Sequence, residues 1–290
     1  MFSLPRPFAM TIAIPRLALV LRWFLVCCLF VVATTQAQEL FPDKNLEAVV
    51  RHAVIEKRKS TQPLVEADVQ NLSQIVAKGK KITNLAGLEK CRSLALIDFE
   101  DNEIADLAPL KDLKQLQSVN LKKNKLKDIA PLADLVAMQY LDLSQNEVEN
   151  IGPLTKMNNL RFLELTGCQV KDIGPLTSCP KIHALYLDRN PVVDFKPLAQ
   201  LKGLERLGLR GTSISDLAPL AELTEIKYLF LDNAKVADLS VLAAMAEKGA
   251  EGPRPFARYW QIYLKGNPLS EAAKGQIEKI RKVGGKVVDG

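Results

Sequence analysis

Few residues in the sequence could carry out catalysis. The 290 residues include two histidines. These are His52 and His183, and no serine or cysteine is spaced to form a triad with either. The sequence also lacks a Cys-x-x-Cys pair, a histidine pair at metal-ligand spacing and a glycine-rich phosphate loop. We therefore expect no enzymatic activity, no cofactor and no metal, and we interpret both histidines as surface or cap residues.

One pair of carboxylates has a spacing that could suit glycoside hydrolysis. Asp142 and Glu164 are 22 residues apart. On neighbouring strands their carboxyl groups would be separated by about 5 Å, as in retaining glycosidases. On an open sheet, however, no pocket would raise the pKa of either group. We therefore interpret them as a solvated charge pair.

A second polar series places one side chain in each interval of 22 residues. A calcium site needs several oxygens that converge on one point, which this series does not supply. Its members instead suit capping of backbone N–H groups at a turn. The series comprises Asn84, Asp106, Asp128, Asn150, Asp172, Asp194, Asp216 and Asp238.

Aromatic and charged residues recur together at the same interval. Aromatic residues make up only 6% of the chain, yet six of them fall in one short repeating segment. Aromatic anchors beside charged groups are typical of interface hot spots, although strands favour aromatic residues in any case. We predict a binding surface here. Its members are Tyr140, Asp142, Phe162, Glu164, Tyr186, Asp188, Arg206, Arg210, Tyr228, Phe230, Asp232 and Tyr263.

A repeat of 22 residues positions these side chains. The clearest copy is Leu126–Glu147, and similar units run from residue 82 to residue 268. Within the copy, Tyr140–Ser144 alternates in polarity, which predicts a short strand whose polar members point away from the core. Apolar residues at every third position before it predict a tight 3₁₀-like return path. Such units bury their apolar side only by stacking.

An asparagine series follows the strand in the repeat. A buried amide there could bond backbone groups of the turn and of a neighbouring coil. Cys168, Thr212 and Ala234 replace it in three copies, and Ala234 cannot hydrogen-bond, which predicts a local weak point. The series comprises Asn102, Asn124, Asn146, Asn190 and Asn267.

The segment Met138–Asn146 has the pattern L-x-x-L-x-L-x-x-N and resembles the leucine-rich repeat. The unit length and the motif I-x-D-[LI]-x-P-L resemble the internalin-type bacterial subclass, and also the phosphatase-regulator repeats of eukaryotic cells. The resemblance implies an α/β leucine-rich-repeat solenoid, a curved right-handed coil with a parallel concave β-sheet and 3₁₀ or loop segments on the convex side. It also implies a helical N-cap and C-cap and a role in binding proteins.

Caps are expected at both ends of the repeats. Residues 38–81 form the N-terminal cap, with helices predicted over Lys44–Val54, begun by Asp43, and over about Glu66–Ala77. Residues 269–290 form the C-terminal cap, with a helix over Ser270–Val283 and an edge strand at Lys286–Val288.

The eighth coil carries an insertion of 11 residues, within Glu247–Arg258. Its glycines and prolines predict a loop at the rim of the concave face. Such a loop either carries function or is a tolerated insertion.

Residues 1–37 have the features of a secretory signal peptide. Arginines extend to Arg22, an apolar stretch covers Trp23–Ala33, and Thr35–Ala37 supplies small residues for cleavage before Gln38. Met10 is an alternative start. A retained N-terminal membrane anchor is the rival interpretation, although the apolar stretch is short for a span.

Charge and cysteine content limit the remaining possibilities. The net charge of +6 includes three arginines in the leader, so the rest of the chain carries +3, too little to indicate nucleic-acid binding. Outside the leader, Cys91, Cys168 and Cys179 occupy positions typical of buried, reduced residues.

We therefore expect an exported, periplasmic or secreted, monomeric module that binds a protein or peptide on its concave sheet. The alternatives are a glycan-binding protein, an envelope scaffold that binds nothing tightly and, if the chain is not exported, a phosphatase-regulator-like protein.

Overall fold

The computed structural model describes residues 39–251 and 256–289. Over these ranges the chain forms one sheet of ten parallel strands, ordered as in the sequence. The strands are β1 (Gln74–Val76), β2 (Leu96–Asp98), β3 (Ser118–Asn120), β4 (Tyr140–Asp142), β5 (Phe162–Glu164), β6 (Ala184–Tyr186), β7 (Arg206–Gly208), β8 (Tyr228–Phe230), β9 (Gln261–Tyr263) and β10 (Lys286–Val288).

Helices and 3₁₀ turns connect the strands. The α-helices in the described ranges are α1 (Lys44–Ala53), α2 (Glu66–Val69), α3 (Ser240–Glu251) and α4 (Glu271–Lys282). The 3₁₀ turns include Leu88–Lys90, Ala108–Leu110, Ala130–Leu132, Gly152–Lys156, Gly174–Ser178, Lys196–Gln200 and Ala218–Leu220, which stack on one another. The predicted solenoid with a parallel sheet, 3₁₀ segments and helical ends is confirmed.

Each coil buries its apolar residues against the coils on either side. In the copy Leu126–Glu147, the side chains of Leu132, Leu135 and Leu141 are fully buried. Each such side chain contributes about 1.5–3 kcal/mol on burial. The same positions are buried in the other coils, so a single core runs the length of the sheet.

The asparagine series ties each coil to the one before it. Asn146 Nδ2 donates to the carbonyl of Leu121, at 2.9 Å, and to that of Leu143, at 2.9 Å. Its Oδ1 accepts from the backbone N–H of Leu126 at 3.0 Å. This pattern repeats at Asn102, Asn124, Asn190 and Asn267. The predicted backbone-bonding role is confirmed.

The second polar series caps the turns, as predicted. Asp128 Oδ1 accepts from the backbone N–H of Ala130 at 2.8 Å. The same bond is formed by Asn84, Asp106, Asn150, Asp172, Asp194 and Asp216. In residues 39–251 and 256–289, no group of three or more His, Cys, Asp or Glu side chains is placed to hold a metal ion.

The N-terminal region differs in part from the prediction. Helix α1 begins as expected, with Asp43 Oδ1 accepting from the N–H of Leu46 at 3.0 Å. The helix predicted over Glu66–Ala77 is wrong, because α2 ends at Val69 and the chain then enters β1. Apolar residues three apart fit both a helix and this coil, and Ile75 pairs with Ile97 in the sheet register. The coil pattern therefore begins one interval earlier than predicted.

The predicted loop over Glu247–Arg258 is wrong for its first residues, 247–251. They belong to α3, which packs against α4. The start of α3 is rich in alanine, which has the highest helix propensity, and the 3₁₀ return path is replaced there by an α-helix. Beyond the gap, Phe256–Tyr259 forms a 3₁₀ turn that leads into β9. Helix α4 and strand β10 match the predicted C-terminal elements.

Cys91, Cys168 and Cys179 are buried, free thiols, as predicted. Burial raises the pKa of Cys91 to about 12 and that of Cys168 and Cys179 to about 11, so all three are unreactive at neutral pH. The predicted signal peptide lies outside the described residues. Within those residues, none of the helices combines the length and the apolar character that crossing a membrane requires.

Candidate functional site

One surface of the sheet carries the side chains that the repeat does not use for stacking. In each of β2–β9 the middle residue is buried, while most of the flanking side chains reach the surface. The register aligns the first residues of these strands in one row and the third residues in a second row, as predicted. We call these two rows, with the residue two positions after each strand, the strand face.

Six aromatic rings form a continuous series on the strand face. Tyr140 stacks on Phe162, with ring centroids 4.5 Å apart and planes 11° from parallel. Phe162 lies 5.7 Å from Tyr186. The series continues from Tyr186 to Phe230 at 6.2 Å. Phe230 then contacts Tyr228 at 6.3 Å and Tyr263 at 5.0 Å. We call these six residues, which extend from β4 to β9, the aromatic ladder.

Two small residues let the ladder cross the middle of the sheet. Ala184 lies between the strand positions of Phe162 and Arg206, and Gly208 lies between those of Tyr186 and Phe230. A Cβ atom on Gly208 would lie 2.7 Å from a ring carbon of Tyr186. Sequence reasoning assigned no role to these two residues. The signal that could have identified them is a small side chain on a strand whose neighbours carry aromatic or other large side chains.

Two arginines cover the end of the ladder nearer the C terminus. Arg210 places its guanidinium 4.0 Å from the centre of the Phe230 ring. The same group bonds the Asp188 carboxylate, at 3.2 Å, and that of Asp232, at 2.9 Å. Arg206 lies over the Tyr228 ring at 5.1 Å. These residues therefore form a cluster in which each carboxylate has a cation.

At the other end of the ladder, Asp142 and Glu164 form no ion pair with a cation among the described residues. Asp142 is only 7% exposed and accepts from the N–H of Ser144 at 2.9 Å. Glu164 accepts from the N–H of Thr166 at 3.0 Å. Burial raises the pKa of both carboxyl groups. The interpretation of this pair as fully solvated is therefore wrong, because the neighbouring rings and strands cover it.

Tyr140 lies at the centre of this acidic region. Burial raises its pKa to about 12, and the nearby carboxylates of Asp142, Glu164, Asp98 and Glu100 add to the rise. The ladder ends here because Ser118, the register partner of Tyr140 on β3, has no ring. Among the described residues, Phe162 is the ring that stacks on Tyr140, and no second ring does so.

A cleft of ≈410 Å³ opens beside the far end of the strand face. Its walls include the cationic residues Lys227, Arg258 and Lys286 and the ring of Tyr259, which is 68% exposed. The strand face is therefore acidic towards β4 and basic towards β9. Sequence reasoning missed the cleft, because β8, β10 and the turn before β9 meet only in the folded chain.

The two histidines do not take part in this surface. His52 is exposed on α1, and His183 is exposed just before β6. The structure brings neither next to the other or next to the Asp142–Glu164 pair, in agreement with the interpretation of both as surface or cap residues.

Comparison with known proteins identifies the repeat. The family model described as "Leucine Rich repeats (2 copies)" matches residues 114–156. The crystal structure of internalin C2 (inlC2) from Listeria monocytogenes is 31% identical, with a TM-score of 0.68, and the match covers 71% of this chain and 91% of that one. The chain belongs to the internalin-like leucine-rich repeat family. No curated protein sequence matches it.

Two further structures share the fold of this family member. The internalin inlF from Listeria monocytogenes is 24% identical with a TM-score of 0.68, and the match covers 86% of this chain and 76% of that one. The leucine-rich-repeat ectodomain of the Arabidopsis thaliana receptor kinase GASSHO1/SCHENGEN3, solved in complex with CASPARIAN STRIP INTEGRITY FACTOR 2, is 19% identical with a TM-score of 0.57. That match covers 69% of this chain and 25% of the ectodomain. The leucine-rich repeat fold is typical of protein-binding modules.

Proposed function

We propose that this protein is a non-catalytic module that binds a protein or peptide partner along the strand face. The observation that carries the proposal is the aromatic ladder: six half-buried rings that reach the surface on one side of the sheet and contact one another from strand to strand. Exposed apolar groups clustered on one surface of a soluble domain commonly mark an interaction site. Aromatic side chains supply most of the energy in such sites.

The ladder is preorganised for binding. Each ring already contacts a neighbouring ring, so less side-chain entropy remains to be lost on association than for isolated exposed side chains. Ordering a flexible interface side chain costs about 0.5–1.5 kcal/mol. Stacking within the free protein reduces that cost and favours affinity.

The charges at the two ends would orient the partner. Asp142 and Glu164 lie at the β4–β5 end, whereas Arg206 and the cations of the cleft lie at the β7–β10 end. Opposite charges at the two ends of a surface favour one orientation of a ligand over the reverse. A partner with basic groups near β4 and acidic groups near β9 fits this arrangement.

Affinity capture with quantitative mass spectrometry tests the proposal. The variant Phe162→Ala/Tyr228→Ala removes two rings, and we expect it to lose the proteins that the wild type retains. Val193→Ala is the matched control, because Val193 is an apolar side chain, 79% exposed, that lies outside the strand face. Equal retention by the wild type and the double variant would exclude the strand face as the binding site.

We propose further that the protein is exported, because residues 1–37 combine arginines, an apolar stretch and a small-residue cleavage site. N-terminal sequencing of the protein from its native cells tests this. We expect a mature chain that begins at Gln38. Persistence of the leader on a membrane-bound protein would indicate the retained anchor instead, and persistence on a soluble intracellular protein would overturn export.

A further inference from the structure

On the strand face, one arginine of the chain itself, Arg210, is bound by an aromatic ring and two carboxylates. The guanidinium of Arg210 lies over the Phe230 ring at 4.0 Å and bonds the carboxylates of Asp188 and Asp232, at 3.2 and 2.9 Å. A planar guanidinium is suited to this arrangement, since it can stack on a ring and bond carboxylates at its edge. Ring, cation and two carboxylates thus form one compact unit.

The other end of the aromatic ladder has the same components without the cation. Tyr140 and Phe162 provide a stacked ring pair, and Asp142 and Glu164 follow in the adjacent row. In the described part of the chain, no ion pair joins either carboxylate to a lysine or arginine. Lys122 lowers the pKa of the Asp142 carboxyl group but forms its ion pair with Glu100, at 3.7 Å.

We infer that an arginine side chain of the partner occupies this position, on the Tyr140 ring and between the carboxylates of Asp142 and Glu164. The inference rests on the proposed function and specifies the chemistry of the partner, a peptide segment with an exposed arginine. Charge complementarity carries the argument: a carboxylate removed from water without a cation is unfavourable, and an incoming guanidinium supplies the missing charge. Arg210 provides an example of the same components, a guanidinium on a ring with two carboxylates, although its carboxylates follow strands two apart.

Arginine fits the position better than lysine. The guanidinium can stack on a ring face and present N–H groups to two carboxylates at once, whereas an ammonium acts as a compact, strongly hydrated charge. Phe162 on β5 covers the side of the Tyr140 ring that is turned towards Glu164. We expect the guanidinium to lie against the outer edge of this ring pair, where it can reach both carboxylates.

Nuclear magnetic resonance tests the inference with a probe, N-acetyl-arginine amide, titrated into the full protein. We expect saturable shifts of the Tyr140 and Phe162 ring protons. N-acetyl-citrulline amide, which has nearly the same shape but no charge, should bind at least tenfold more weakly. The double variant Asp142→Asn/Glu164→Gln should also reduce arginine binding at least tenfold.

Asp172→Asn is the matched control variant, since asparagine already occupies the equivalent position at Asn150. It should bind the arginine probe as the wild type does. The inference is overturned by any of three results: equal binding of the arginine and citrulline probes, undiminished binding by the double variant, or no saturable ring shift. None of these affects the capture experiment with Phe162→Ala/Tyr228→Ala, so the proposed function can fail or stand independently.

Discussion

Replacing Asn146 by alanine should lower the free energy of unfolding far more than the small number of atoms removed suggests. The side chain bonds four buried backbone groups: the carbonyls of Leu121, Leu143 and Ser144 and the N–H of Leu126. Alanine leaves all four without that partner. An unsatisfied buried polar group costs about 1–3 kcal/mol. Because the carbonyls have other bonds and the effects are not additive, we expect a total loss of about 3–5 kcal/mol.

Urea unfolding followed by circular dichroism measures this loss. Asn158→Ala is the matched control, because Asn158 is exposed and should change stability by less than about 0.5 kcal/mol. The coils contact mainly their neighbours, so we expect the loss to appear as early unfolding around β4 rather than as a single shifted transition. If Asn146→Ala and Asn158→Ala unfold alike, the asparagine series does not hold the coils together.

Three further changes test other parts of the structure. Ala234→Asn should raise the free energy of unfolding in urea by about 1–2 kcal/mol, because it restores the missing amide of the asparagine series. A lower free energy of unfolding would show that the site cannot hold an amide. Gly208→Ala should lower stability by about 1–3 kcal/mol and alter the near-ultraviolet circular dichroism, because the new methyl displaces the ring of Tyr186; an unchanged spectrum would contradict this. Asp142→Asn should raise the melting temperature at pH 7 but not at about pH 3; equal effects at both pH values would contradict the pKa assignment.

The sign of the last prediction follows from burial. Burial raises the pKa of the Asp142 carboxyl group above its ordinary value, so the folded protein holds the proton more tightly than the unfolded chain. Ionisation therefore begins to cost stability as the pH rises above the unfolded pKa, and the full cost applies above the folded pKa. Asparagine removes the charge and hence the cost. Lys122 and Ser144 offset part of the rise.

The fold could be predicted from the sequence because every coil needs the same buried apolar residues and the same hydrogen-bonding side chains. The stacking leucines, Asn146 and Asp128 each repeat at 22 residues, so their roles could be inferred from spacing alone. The second helix could not be predicted correctly, because the apolar residues Val69, Leu72 and Ile75, each three apart, satisfy both a helix and a coil. Only the pairing of Ile75 with Ile97 distinguishes the two.

The membership of the strand face was predictable, but its interactions were not. Register alone aligned Tyr140 with Phe162. The contact of Tyr186 with Phe230 depends on the absence of a side chain at Gly208, which spacing does not reveal. The burial of Asp142 likewise results from neighbouring side chains in three dimensions, which is why the sequence suggested a solvated carboxylate.

Site-specific photo-crosslinking tests the central claim most directly. Benzoylphenylalanine at position 162 keeps a ring on the aromatic ladder, and the same residue at position 193 places the crosslinker on an exposed side chain outside the strand face. The account predicts a crosslink to the bound protein or peptide from position 162 and none from position 193. A crosslink from position 193 with none from position 162 would contradict it.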